Sequence, residues 1–121
     1  MGTKKILAVI LFQLWITCLP TQAQEVPPAL VAQGGRLKMS QAQCLARAAE
    51  GIQASGQTLI LPADHPESRG GYTKYVSAII ACVPADGEII WSVYVAGLPG
   101  HNPETGRTVD FLGEYMRTGQ N

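Results

Sequence analysis

The chain has 121 residues, 46% of them hydrophobic, with 9 Lys and Arg against 9 Asp and Glu and a formal net charge of zero. The basic residues are scattered rather than grouped on one face. That argues against nucleic acid and against an anionic membrane surface as partners, since both need clustered positive charge. The length supports a single domain with a modest core.

The first segment, MGTKKILAVILFQLWITCLPTQA, has the three-part layout of a secretory signal peptide. Lys4 and Lys5 form a basic start, Ile6 to Leu19 an apolar run, and Pro20 then Thr21-Gln22-Ala23 a small-residue junction. Cleavage is expected after Ala23. An uncleaved anchor would need roughly 20 apolar residues, and this run is about 14. Trp15 and Ile16 ahead of Cys18 do not make a bacterial lipobox. The expectation is a periplasmic or secreted bacterial protein without stable membrane insertion after cleavage. About 98 residues remain, carrying a side-chain charge of about −2.

Residues 24–39, with Pro27-Pro28 and Gly34-Gly35, read as a flexible or extended lead-in to a domain over 40–117. The first helix follows in SQAQCLARAAEGIQASG. Ser40 and Gln43 form a capping box, alanines dominate, and Gly56 stands at the stop. Cys44, Leu45, Ala48 and Ile52 make one stripe, with Arg47, Glu50 and Gln53 opposite. Gly51 marks close packing against a neighbour. Thr58–Leu61 reads as a short edge strand ended by Pro62, and 64–71 as a polar loop.

The run YTKYVSAIIACVPADGEIIWSVYVAG reads as a β-hairpin turning at Pro84-Ala85-Asp86-Gly87. A symmetric closure pairs Val83 with Glu88, Cys82 with Ile89 and Ile80 with Trp91. Val76, Ala78, Ile80 and Cys82 then share an apolar face with Ile89, Trp91, Val93 and Val95. Tyr75, Ser77, Ile79, Ala81, Ile90, Ser92, Tyr94 and Ala96 form a mixed face. Residues 97–106 read as a second polar loop. A helix is expected in RTVDFLGEYMR through Val109, Leu112, Tyr115 and Met116, with 118–121 a frayed tail. The sum is an α+β two-layer sandwich: about three antiparallel strands with a central hairpin, and two helices.

With Cys18 lost in the signal, Cys44 and Cys82 remain, an even count in an oxidising compartment. Both point into the helix–sheet interface, so a disulfide is expected; the alternative is two free buried thiols. The closed loop, about 39 residues, corresponds to roughly 4 kcal/mol in the chain-entropy model. The spacing is unlike a redox Cys-x-x-Cys pair.

No catalytic residue or cofactor is assigned. His65 and His101 with Asp64, Glu67 and Glu104 are weak metal candidates, better read as solvated loop residues. Ser68 lies near His65 and Asp64, but no nucleophile elbow occurs. The motif Cys44-Leu45-Ala46-Arg47-Ala48 in a first helix, followed by Ile80-Ala81-Cys82 in a strand, resembles small exported bacterial proteins without an established activity. That resemblance implies an α+β domain with one cysteine pair and brings no catalytic residues.

The functional expectation is a non-enzymatic protein-binding or inhibitor-like module acting on another envelope or extracellular protein. Tyr75, Ile79, Tyr94, Leu98 and Pro99 are its candidate partner surface. An inhibitor-like form would present Leu98, Pro99 and His101 from a rigid loop. The alternatives are a small hydrolase or metal-dependent enzyme using the loop His and acidic residues, and a structural envelope component.

Overall fold

The computed structural model describes residues 28–120; the expected signal peptide and its cleavage point lie outside them. The chain runs β1 (Ala29–Leu37), α1 (Gln41–Ala54), β2 (Thr58–Leu59), β3 (Ser68–Tyr72), β4 (Val76–Ala85), β5 (Glu88–Gly97) and α2 (Asn102–Thr118). One five-stranded antiparallel sheet has the order β1-β5-β4-β3-β2, and both helices cover the same face. The α+β class is as expected. The sheet, however, has five strands rather than about three.

The two extra strands come from segments read as irregular. Residues 29–37, taken as lead-in, pair with β5 along their whole length. Residues 68–72, all but Tyr72 of them inside the expected polar loop over 64–71, pair with β4. Their Gly-Gly pairs signal contact rather than turning. A Cβ on Gly35 would lie 3.0 Å from the Trp91 indole, and one on Gly71 would overlap Ile52 of α1. Glycine there lets the largest core side chain and the first helix sit directly on the backbone.

Helix α1 forms as its cap predicts. Gln43 N–H donates to Ser40 Oγ at 3.1 Å, and Ser40 N–H donates to Gln43 Oε1 at 2.9 Å. Cys44, Leu45, Ala48 and Ile52 are buried. Gly51 meets the Tyr115 ring of α2, the neighbour that the mid-helix glycine announces. Arg47, assigned to the solvent face, instead reaches across and donates to the Met116 carbonyl at 2.9 Å. A cation at a helix C-terminus also complements the macrodipole.

Helix α2 starts five residues before the expected 107 and ends one beyond 117. Pro103 occupies its first turn, where a missing N–H costs nothing, and Glu104 adds a favourable charge. The loop expected over 97–106 is therefore only Leu98–His101. At the far end Thr118 is still helical. Gly119, at φ 71°, closes the helix through its N–H to the Tyr115 carbonyl, so the tail is capped where fraying was expected.

The hairpin turns at Asp86-Gly87, whose φ values are 52° and 78°. Two positive-φ residues make the tight turn whose twist matches the strands. The register is consequently two residues from the symmetric closure: Cys82 faces Trp91, Ile80 faces Val93 and Val83 faces Ile90. A slip of two keeps every side chain on its face, so the apolar inner face stands as read. Pro84 lies inside β4 without penalty. Cys82 N–H donates to the Glu67 carbonyl on the β3 side, so Pro84 shows its missing N–H to that same side, past the end of β3.

Cys44 and Cys82 form a disulfide, with Cα atoms 6.1 Å apart and both residues fully buried. It ties the start of α1 to the C-terminal half of β4. Gln41 Nε2 donates to the Cys82 carbonyl beside it at 2.9 Å.

Replacing both cysteines by alanine is expected to lower the unfolding free energy by about 4 kcal/mol in urea denaturation. A loss below about 1 kcal/mol would show that the helix holds its place without the bond. Two glycine substitutions should act in opposite directions. Gly71→Ala is expected to destabilise by about 1–3 kcal/mol through overlap with Ile52. Gly106→Ala, in α2 with nothing within 4 Å, should stabilise by about 0.5–1 kcal/mol. Thermal melts of the two variants check both signs.

Candidate functional site

The histidines and acids considered as metal or catalytic groups do not converge. Asp64, His65 and Glu67 are exposed in the loop before β3. There Glu67 N–H donates to His65 Nδ1 at 3.2 Å, which makes Nδ1 an acceptor, and the Ser68 hydroxyl lies 3.1 Å from the same nitrogen. Arg69 closes the loop by donating to the His65 and Ser68 carbonyls. His101 and Glu104 begin α2, with His101 Nδ1 3.6 Å from Glu104 Oε2. The His101 ring stacks on Tyr75, with centroids 4.1 Å apart.

Glu67 lies beside Cys82 and His101 beside Tyr75, seven residues apart along β4. At the rise of a strand that is about 23 Å. Among the described residues no three His, Cys, Asp or Glu side chains gather as metal ligands would. Instead His65 braces its own loop, and His101 stacks on Tyr75 at the start of α2. Glu104 titrates below the ordinary carboxylate value of 4.5, first through a backbone hydrogen bond at the helix start and then through His101 and Arg107.

The partner-surface residues lie on or beside the sheet face that the helices leave open. The register sorts this face into rows crossing the strands. One row is Leu30, Ala96, Ser77 and Tyr72. The next is Ala32, Tyr94, Ile79 and Gly70, with Ile60 beside Gly70. The third is Gly34, Ser92, Ala81 and Ser68, all small. The fourth is Arg36, Ile90 and Val83.

On the two central strands the rows therefore alternate small, large, small, large. Ile79 and Tyr94 are direct partners and stay 52% and 47% exposed; Val83 in the next ridge is 41% exposed. The outward strand positions carry charge at Arg36 and Glu88, and these two pair with each other at 3.7 Å near one end.

Tyr75, Leu98 and Pro99 stand at the opposite end. Leu98 N–H donates to the Tyr75 carbonyl at 2.9 Å, extending the β4–β5 ladder one step, and His101 N–H donates to the Leu98 carbonyl at 3.0 Å. The short Leu98–His101 turn is anchored at both ends, with Leu98 and Pro99 exposed.

The sequence pattern brought Ile79 and Tyr94 into one face but missed what β1 and β3 add. Gly34, Ser68 and Gly70 extend the rows, and Leu30, 73% exposed, adds an apolar edge. The signal for β1 was its uninterrupted nine residues free of proline.

A scan against protein-family models finds no match, and a search of curated proteins finds none either. Among solved structures, the chain aligns with a crystal structure of Ara h 8.0201 at TM-score 0.45 and 8% identity, covering 76% of this chain and 99% of that one. It also aligns with CalU16 from Micromonospora echinospora at TM-score 0.45 and 9% identity, covering 79% of this chain and 88% of that one.

The Glu104 shift sets a pH dependence. A carboxyl with a folded value below its unfolded one stabilises the fold above the unfolded value, and that stability is lost as pH falls through the folded value. The stability difference between the wild type and Glu104→Gln should therefore be full at pH 6 and shrink towards zero as pH drops below 4.5. Urea denaturation at a series of pH values measures it; a difference that grows on acidification would contradict the assignment.

Proposed function

We propose that the chain is an exported, disulfide-stapled interaction module that binds another envelope or extracellular protein through its open sheet face. The observation that carries this reading is the ridged, nearly charge-free face with Tyr94 and Ile79 at its centre. Exposed apolar faces of this extent mark docking surfaces more than ordinary solvent surfaces, and interface cores are poor in charge and rich in aromatic residues. The divergence of the histidine and acid clusters supports a binding role over a metal-dependent or hydrolytic one.

Export to the periplasm or beyond is part of the proposal. It rests on the N-terminal pattern, and the buried disulfide is consistent with an oxidising compartment. Among the described residues no helix is long and apolar enough to cross a membrane. Residues 1–23 are the export signal in this reading, and the chain belongs with the small exported bacterial proteins it resembles. The anchored Leu98–His101 turn favours a second, inhibitor-like form in which Leu98 and Pro99 enter a partner's cleft.

Photo-cross-linking in producing cells separates these readings. With p-benzoylphenylalanine in place of Ile79, an adduct is expected that is absent when the probe replaces Gln53, exposed on α1. A probe at Leu98 alone giving the adduct would favour the turn, and equal labelling at all three positions would sink both. The intact mass of the recovered protein checks export. It should begin at Gln24 and rise by two hydrogens on reduction; a full-length mass would remove the localisation.

A further inference from the structure

We propose that the open sheet face is buried against a second copy of the same chain, in a two-fold, face-to-face pair. This rests on the reading of that face as a docking surface and names its occupant. The argument comes from the order of large and small outward residues on β4 and β5. Along β5 they run Ile90, Ser92, Tyr94, Ala96; along β4 they run Ser77, Ile79, Ala81, Val83. The register puts Tyr94 beside Ile79, Ser92 beside Ala81, Ala96 beside Ser77 and Ile90 beside Val83. Large meets large across the strands and small meets small, so the alternation becomes ridges and troughs crossing both.

Such a surface is complementary to itself. A two-fold axis lying in the face, along the rows and midway between the Tyr94–Ile79 ridge and the Ser92–Ala81 trough, exchanges those two rows. It sets Tyr94 of one copy over Ser92 of the other, and Ile79 over Ala81. The same operation sets Ala96 over Ile90 and Ser77 over Val83. All four pairs place a large side chain over a small one, and each occurs twice by symmetry. This is the interdigitation by which two sheets pack about 10 Å apart, and a two-fold contact requires a self-complementary patch of this kind.

Charge and area agree. A charged patch would repel its own copy, and here the one cation in the rows, Arg36, pairs with Glu88 of its own chain at the rim, where the two-fold sets it over Leu30 of the other copy. Each outward position covers about 30 Å² of sheet, so the sixteen positions of the four rows offer roughly 480 Å² per copy and about 960 Å² in total, the range of weak, transient contacts. A small reversible dimer is what that area supports.

The test is sedimentation velocity on the protein purified from producing cells, from about 1 µM to about 200 µM. The wild type should shift from monomer towards dimer across that range. Ala81→Ile fills the trough and sets Ile79 of one copy against an isoleucine of the other. It should weaken the dimer at least tenfold, although it adds apolar surface. Ser92→Ile makes the same test from β5 should the first variant fold poorly, and Gln53→Arg on α1 should change nothing.

A dimer that either filled trough leaves intact or strengthens would show general stickiness or another interface, and would overturn the proposal. A wild type that stays monomeric throughout would also overturn it. In that case an adduct from the Ile79 probe with a different protein would leave the wider docking reading standing, and the absence of any adduct would end both.

Discussion

The two-residue turn at Asp86-Gly87 sets the terms for the rest of the molecule. With both residues at positive φ, β4 and β5 can close in one register only. That register decides which side chains share a row and which face each occupies. It puts Cys82 next to Trp91 under the helices, where Cys44 can reach it. It also decides that the outward residues come into phase. A slip of one residue would expose the cysteine and bury Ile79.

The inner and outer faces of this hairpin answer different demands. Inside, Trp91, Ile80, Val93 and Val95 are fully buried, and glycines thin the backbone wherever a neighbour presses hardest. Outside, the same strands alternate large and small residues with almost no charge. Neither face alone explains the sequence of β4 and β5. The histidine and acid clusters lie towards the two ends of β4 and do not meet. The functional reading therefore rests on the shape and polarity of a surface rather than on a constellation of reactive groups.

Much of this was legible from local pattern. The capping box around Ser40, the apolar stripe of α1, the parity of the hairpin and the meeting of Cys44 with Cys82 all follow from strong, short-range signals. The two missed strands share one physical cause. Gly34-Gly35 and Gly70-Gly71 look like loop residues because glycine is flexible in isolation, whereas here Gly35 is required by the bulk of Trp91 and Gly71 by that of Ile52, the first far away in sequence and the second on another element. The start of α2 was obscured for a different reason, since Asn102-Pro103 signals a turn and a helix entry equally well. The separation of the two histidines depends on strand order, which no local pattern carries. The candidate surface was half visible: Ile79 and Tyr94 came from alternation, but the troughs beside them needed the register.

The position of β1 has a consequence for how the chain reaches this state. It is the first described strand in sequence, yet its partner β5 is the last strand, with paired residues more than fifty positions apart. A growing or emerging chain cannot complete the sheet until nearly all of it is available, because the first strand has nothing to pair with before then. Long-range pairings of this kind delay folding relative to local ones. The β4–β5 hairpin can form from near neighbours, whereas β1 has to wait for β5, and α2 packs on both of them. Completion of the sheet at β1 therefore waits on a strand that ends at Gly97, so the N-terminal edge is the part of the sheet with the longest wait for its partner.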